Sequence, residues 1–242
     1  MTGTFVNCIA VIAGTLVGLL LKKGVSEKLG DSITKAIALC VLFIGIDGAV
    51  SASGSGSNAL VLIISIALGG LIGNVADLDG RINRLGDKVQ EQFRRKGNNS
   101  PVAEAFVTAT LLYCVGAMAI VGSIQSGIEG NHTTLFTKSL LDGIMAIVFA
   151  SQLGFGVLLS AIPILVYQGG ITLASGFIAP FMSDIVIAEM SCIGYVLIMG
   201  IGFNLMGVTK LKLMNYVPGI VIAAILALTI ENIPAAFAFL YA

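Results

Sequence analysis

The fold of this chain follows from residues 5–21, which read FVNCIAVIAGTLVGLLL. These residues contain no charged side chain, and the apolar character is continuous instead of being confined to one helical face. A helix needs about 20 such residues to cross the hydrocarbon core of a bilayer. Lys22 and Lys23 follow the run and no basic residue precedes it, which argues against a cleaved signal peptide. The segment predicts a retained first transmembrane helix with its N-terminus outside.

Similar runs make up most of the chain. Of its 242 residues, 57% are hydrophobic and only 11% are charged, and the mean hydropathy is +1.00. A soluble domain carries roughly twice that charged fraction. Eight apolar runs cover residues 5–21, 36–50, 59–76, 105–122, 139–153, 157–172, 185–206 and 217–240. They predict an all-α fold, a polytopic transmembrane helix bundle of about eight spans that forms a single membrane domain over residues 1–242.

The distribution of basic residues predicts the topology. They concentrate around Lys22, in residues 81–96, and around residues 210–212. Positively charged loops stay in the cytoplasm. Eight spans with the N-terminus outside place all three groups inside and leave only Lys138 in an outer loop, whereas seven spans place the third group outside. Both termini are therefore expected outside, although a re-entrant segment at 168–183 would change the parity.

The longest polar stretch, residues 77–101, separates the third and fourth runs. Its apolar residues Ile82, Leu85, Val89 and Phe93 recur at helical spacing among charges of both signs. This pattern predicts a cytoplasmic amphipathic linker that lies on the inner leaflet.

Two glycine pairs indicate close helix packing. Gly14 and Gly18 in the first run, and Gly69 and Gly73 in the third, each form a GxxxG motif. Small residues at this spacing let two helices approach closely in lipid. The motif is also frequent by chance in glycine-rich membrane proteins.

A second repeat relates the two halves of the chain at an offset of about one hundred residues. Ser51, Gly54, Gly56, Gly69 and Gly70 recur as Ser151, Gly154, Gly156, Gly169 and Gly170. Residues 1–76 would form repeat A and residues 102–172 repeat B, which is inverted because each holds three spans; residues 173–242 add two helices. Inverted repeats are common in secondary transporters. Chance matching in Gly- and Ser-rich sequence is the alternative.

Two segments could be unwound at membrane depth, namely 151–156 and 168–172. Glycine permits non-helical backbone, which the membrane interior tolerates only where it is packed in protein or lines a wet cavity. The sequence leaves open whether 151–156 is such a site or a turn at the interface.

No Lys or Arg lies within an apolar run. The candidate ionisable residues are all acidic, which favours a cation or proton over an anion. They are Asp47, Glu104, Asp142, Asp184, Glu189 and Glu231. Asp142 is the candidate ion-binding or proton-carrying residue, whereas Glu104, Asp184 and Glu189 are expected to be solvated at the interface.

Uncharged polar residues concentrate in the fourth to sixth runs. Together with Asp142, the candidate substrate or ion path comprises Ser151, Gln152, Tyr167, Gln168, Thr108, Thr110, Ser160, Asn74 and Asn204. Bonds to neighbouring helices would explain the asparagines, including Asn7, equally well.

These features predict a secondary transporter or channel-like carrier of a cation or small solute, coupled to a cation or proton, that works by alternating access of its inverted repeats. The alternative is a membrane scaffold or regulator that acts through a partner. Catalytic motifs, metal-ligand spacing and a net charge are absent from the sequence, so no enzyme activity, cofactor, metal or nucleic-acid partner is expected. The partners expected are the bilayer and a small solute or monovalent cation, and a homo-oligomer is left open.

Several longer stretches carry a family resemblance. They are Phe106 to Gly127, Lys138-Ser-Leu-Leu-Asp-Gly143, Ser160-Ala-Ile-Pro163, Tyr167-Gln-Gly-Gly-Ile-Thr172 and Gly200 to Gly207. With them the chain resembles the YdfK/YqgA-like family of prokaryotic multi-pass membrane proteins, a domain of unknown function, over nearly its whole length. The resemblance implies a prokaryotic inner-membrane location and supplies no catalytic residues.

Overall fold

The structure is a computed structural model that describes residues 1–22, 27–81, 83–84, 102–114, 117–128 and 130–232. All regular elements in these ranges are helical, as the apolar runs predict. They are α1 (Thr2–Lys22), α2 (Glu27–Gly54), α3 (Ala59–Val75), α4 (Val102–Cys114), α5 (Ala117–Ile128), α6 (Thr133–Leu153), α7 (Gly156–Leu159), α8 (Ala161–Leu173), α9 (Ser175–Ile178), α10 (Asp184–Leu205) and α11 (Pro218–Asn232), with 3₁₀ turns at Ala179–Phe181 and Leu213–Tyr216. Most of the predicted amphipathic linker at 77–101 lies outside the described residues.

Six of the described segments are long and apolar enough to cross a membrane. They are Thr2–Leu21, Asp31–Gly54, Thr133–Leu153, Gly156–Leu173, Asp184–Leu205 and Leu213–Glu231. Helices α4 and α5 pass the same test only if they are taken together as one span with a bend of 59°, which raises the number of candidate spans to seven. Helix α3 is apolar but has only 17 residues. A helical membrane bundle is therefore established, whereas the count of eight spans is not.

The two glycine-containing segments differ in the structure. The break at 151–156 is confined to the end of α6, where Gly154 adopts a φ of +87° that favours glycine and α7 starts at Gly156. Residues 168–172 are helical within α8, and the Ala174 amide donates to the Gly170 carbonyl at 2.9 Å. The sequence left open whether 168–172 is unwound, and the structure shows this segment as continuous helix.

The chain divides into two compact units. Unit 1 comprises Met1–Ala36 and Gly80–Ile178, and unit 2 comprises Ile37–Asp79 and Ala179–Ala242. These boundaries do not follow the predicted segments 1–76, 102–172 and 173–242, because repeat A contributes to both units. The inverted repeat stays a prediction.

Helices α1 and α6 form the most extensive helix–helix contact in unit 1. A Cβ atom added to Gly14 would overlap the carbonyl oxygen of Gly143, and one added to Gly18 would overlap that of Ile147. Four residues along α1 thus match four residues along α6, so the two helices run parallel. The absence of side chains at Gly14 and Gly18 lets the backbones meet, as small residues do in membrane helix pairs.

The second glycine pair lies in unit 2. A Cβ atom at Gly69 would overlap the backbone of Gly219 at the start of α11, and one at Gly73 would overlap the backbone of Asn215 in the preceding 3₁₀ turn. The later glycine of α3 thus contacts the earlier residue of the partner segment, so α3 packs antiparallel to the segment that opens α11. Both GxxxG motifs are occupied by contacts within their own units.

Candidate functional site: a buried ion pair in unit 1

The most polar cluster of unit 1 is built around Lys138 and Asp142 of α6. Residues four apart face the same side of a helix, and the Lys138 Nζ atom donates to Asp142 Oδ1 at 2.9 Å and to Oδ2 at 2.7 Å. Their side chains are only 7% and 8% exposed. The placement of Lys138 in an outer loop was wrong, because α6 begins at Thr133 and carries Lys138 in its second turn.

This pair changes the electrostatic reading of the sequence. An isolated buried charge is strongly unfavourable, so buried charges are paired. Asp142 is compensated by Lys138, and the cluster carries no net charge. The preference for a cation, which rested on an all-acidic set of buried groups, therefore no longer follows.

Two amide side chains from other helices complete the cluster. Asn7 of α1 donates from Nδ2 to Asp142 Oδ2 at 3.0 Å and to Gln168 Oε1 of α8 at 3.2 Å. Both amides are fully buried. The structure thus brings Asp142 and Gln168 together, as proposed for the path, and adds Asn7 and Lys138 to them.

Several polar atoms in this region have no hydrogen-bond partner among the described residues. One end of each amide is unused, namely the acceptor Oδ1 of Asn7 and the donor Nε2 of Gln168. The hydroxyls of Thr4 and Thr172 are also unpaired, and these residues lie one turn from Asn7 and Gln168 on α1 and α8. An unsatisfied buried polar group costs about 1–3 kcal/mol. A group of them beside an ion pair is therefore a candidate binding site for a polar ligand.

Tyr113 of α4 belongs to the same region. Its side chain is 1% exposed, its hydroxyl has no partner among the described residues, and it interacts electrostatically with Asp142. Tyr113 lies in the fourth apolar run but was not among the residues predicted for the path. The two α4 threonines that it did assign, Thr108 and Thr110, are buried and half-buried respectively. Tyr167 of α8 is half-buried next to Gln168 in sequence.

The three path residues near the α6–α7 break are explained by local bonds. The hydroxyl of Ser151 donates to the Val148 carbonyl at 2.7 Å, and that of Ser160 donates to the Val157 carbonyl at 2.6 Å. Gln152 donates to the Ser151 hydroxyl at 3.2 Å. Ser151 lies nine residues beyond the ion pair on α6, which corresponds to about 14 Å along the helix. Ser151 and Gln152 are therefore separate from the cluster.

The two candidate asparagines in unit 2 form hydrogen bonds to other segments of the same unit. Asn74 accepts a hydrogen bond from Asn215 Nδ2 at 2.9 Å. Asn204 Oδ1 accepts from the Leu211 amide at 2.9 Å and from the Thr209 hydroxyl at 2.7 Å, which closes the turn after α10. Asn74 thus bonds a neighbouring segment, as in the structural alternative, whereas Asn204 bonds the turn that follows its own helix.

Unit 2 has its own buried carboxylate. Glu104 and Asp184 are exposed, but Glu189 is fully buried, so its expected place at the solvated interface was wrong. Glu189 Oε1 accepts from the Asn58 backbone amide at 2.7 Å, whereas Oε2 has no partner among the described residues. Asn58 in turn caps α3 by accepting from the Leu60 amide. Glu189 therefore attaches the α2–α3 turn to α10.

Six described segments that are long and apolar enough to span a bilayer define a polytopic helical membrane protein. Residues 2–228 match the family described as "Protein of unknown function (DUF554)", and the chain belongs to that family.

Two relatives cover almost the whole chain. The chain is 31% identical over 231 residues to "Uncharacterized membrane protein YdfK" of Bacillus subtilis (strain 168), which covers 96% of this chain and 97% of the relative. It is 30% identical over 225 residues to "Uncharacterized protein YqgA" of Escherichia coli (strain K12), which covers 91% and 94%. No solved structure matches the chain significantly. The family resemblance drawn from the sequence is confirmed.

Proposed function

We propose that this protein is a secondary carrier for a small polar solute or a cation, coupled to a proton or cation gradient, in a prokaryotic inner membrane. The observation that carries the proposal is the buried Lys138–Asp142 pair. Asn7 is hydrogen-bonded to Asp142, Gln168 is hydrogen-bonded to Asn7, and each amide keeps one unused polar atom. Ionisable groups inside membrane bundles are rare and mark substrate or ion pathways. The partners in this proposal are lipid and the transported solute, without an enzyme reaction, cofactor or nucleic acid.

The helix directions of unit 1 support an eight-span topology. Parallel helices cross the membrane in the same direction, so the chain between α1 and α6 must cross an odd number of times. Crossings by α2, α3 and the bent pair α4–α5 supply three. The remaining spans are α7–α8, α10 and α11, which together with α1 and α6 make eight and place both termini on one side. The positively charged loops then favour an outside location for the termini.

Alternating access by inverted repeats remains part of the proposal. Its support is the sequence offset between residues 1–76 and 102–172. Discontinuous helices near a binding site are a feature of such carriers. The bend between α4 and α5 is a discontinuity of this kind, because α4 ends one residue after Tyr113, whereas the break at Gly154 lies at the far end of α6.

A scaffold function has less support. That hypothesis relied on GxxxG faces that would bind a partner, but Gly14 and Gly18 face α6, and Gly69 and Gly73 face the segment that opens α11. These surfaces are already used inside the two units.

The proposal is tested by flux in proteoliposomes that contain the full chain. Ions and small polar solutes are offered in both directions under proton and sodium gradients, and the Asp142→Asn variant is compared with the wild type. Asp31→Asn is the matched control, because Asp31 forms the same i,i+4 pair with Lys35 at 2.8 Å but is exposed. We expect gradient-driven flux in the wild type and the control, and we expect Asp142→Asn to lose the flux of the solute that the wild type transports. Absence of wild-type flux with every compound and gradient would refute a carrier.

A further inference from the structure

The charge arrangement at Lys138 and Asp142 restricts the ligand that the cluster can take. We propose that the transported solute is a small zwitterion, which carries one ammonium and one carboxylate group. The ammonium would bind Asp142 and the carboxylate would bind Lys138. The ion pair between the two side chains opens, and each side chain is then paired with the oppositely charged group of the solute. This inference rests on the proposed carrier function and specifies the substrate class of that site.

The reason is charge compensation. A cation bound to Asp142 would take the carboxylate from Lys138 and leave a buried ammonium unpaired. An anion bound to Lys138 would leave Asp142 unpaired in the same way. Removing one partner of a buried pair destabilises a protein by about 3–5 kcal/mol, which corresponds to a factor of roughly 10²–10⁴ in binding. A zwitterion leaves both charges paired and therefore avoids this penalty.

The uncharged groups around the pair match both ends of such a solute. Asn7 Oδ1 can only accept hydrogen bonds and Gln168 Nε2 can only donate them, and both are buried without a partner among the described residues. The acceptor suits an ammonium and the donor suits a carboxylate. The hydroxyls of Thr4 and Thr172 can either donate a hydrogen bond to the carboxylate or accept one from the ammonium. A site selective for a simple cation would instead present acceptors alone.

The other titratable side chains around the pair leave this balance unchanged. They are Tyr113 and Cys114 of α4, Cys8 of α1 and Tyr167 of α8. Tyrosine and cysteine are normally neutral near pH 7. Among the described side chains of this cluster, the charge is thus supplied by Lys138 and Asp142 alone.

A matched ligand series tests the proposal. The purified full chain in detergent is heated with glycine, L-alanine, β-alanine and γ-aminobutyrate, which are zwitterions of different charge separation. Parallel samples contain the cation glycinamide, the anion N-acetylglycine, or sodium or potassium ions at equal ionic strength. We expect at least one zwitterion to raise the melting temperature and to be taken up by proteoliposomes, at a concentration at least ten times lower than any singly charged compound requires.

Single-charge variants provide a second readout that a purely structural ion pair would not change. Lys138→Met leaves Asp142 bare, so selectivity should move from the zwitterion to glycinamide. Asp142→Asn leaves Lys138 bare and should move it to N-acetylglycine. Lys35→Met, at the exposed pair of α2, should leave the zwitterion preference unchanged.

The outcomes separate this inference from the carrier proposal. Wild-type uptake of a cation or an anion without uptake of any zwitterion overturns the zwitterion site and leaves a carrier. Complete absence of flux overturns both. If the single variants do not fold, the wild-type series decides by itself, because a preference for a singly charged compound contradicts the charge argument.

Discussion

A double-mutant cycle on Lys138 and Asp142 tests the buried ion pair directly. The variants are Lys138→Met, Asp142→Asn and the combination of both. Each single change leaves one charge buried without its partner, because the two side chains are 7% and 8% exposed. The expected loss of unfolding free energy is about 3–5 kcal/mol for each single variant. The double variant contains no unpaired charge and should lose much less than the sum.

The exposed pair Asp31–Lys35 gives the internal reference. It has the same i,i+4 spacing and a comparable N–O distance of 2.8 Å, but its side chains are 64% and 60% exposed. An exposed helical pair is worth about 0.3–0.5 kcal/mol. The two cycles therefore compare Lys–Asp pairs of equal spacing, in opposite order along the helix, at two levels of burial.

The assay is thermal unfolding of purified protein in detergent. The chain contains no tryptophan, so helical circular dichroism or the fraction of protein that remains monodisperse after heating is the suitable signal. For a chain of this size, 1 kcal/mol corresponds to about 2–4 °C in Tm, so each single variant at the buried pair should lose roughly 6–20 °C. Additive losses below about 1 kcal/mol in both single variants would show that the pair is solvated.

Four further results are expected from packing and from the Glu189–Asn58 bond. Gly14→Leu should abolish the folded state, because even its Cβ would overlap the Gly143 carbonyl oxygen. Gly170→Ala should be neutral or stabilising by up to about 1 kcal/mol, because a Cβ at this position meets nothing within 4 Å. Size-exclusion profiles after extraction distinguish the misfolded Gly14→Leu variant from the folded Gly170→Ala variant. Glu189→Leu should lower stability by about 1–3 kcal/mol because the Asn58 amide loses its acceptor. Glu189→Gln keeps an acceptor oxygen and should lose less in the same melting experiment, and equal losses would contradict the assigned bond.

The sequence predicted helices and their approximate positions because the bilayer permits few alternatives. A chain in lipid must satisfy its backbone hydrogen bonds internally, so long apolar runs become helices. The same rule explains why α8 continues through Gly169 and Gly170: opening the helix would leave carbonyls such as that of Gly170 unpaired, although glycine itself permits it.

The site was predicted only in part, since hydropathy locates apolar segments and not helix ends. Lys138 was assigned to a loop because the apolar run starts at Ser139, whereas the helix begins earlier, where Asn131 Oδ1 accepts from the Thr133 amide at 3.1 Å. That polar start was the available signal, and it would have placed Lys138 one turn before Asp142. The burial of Glu189 depends on a turn 131 residues away in the chain, for which the sequence offers no local signal.

The parallel contact between α1 and α6 has a consequence for biosynthesis. Gly14 leaves the ribosome about 130 residues before Gly143, which at roughly 5–20 residues per second is a delay of about 6–26 seconds. During that interval the first helix resides in the bilayer with its glycine surface against acyl chains or an insertase. Completion of unit 1 is thus a late event in translation, and a ribosome stalled before residue 143 should leave α1 accessible to cross-linking by lipid-phase probes.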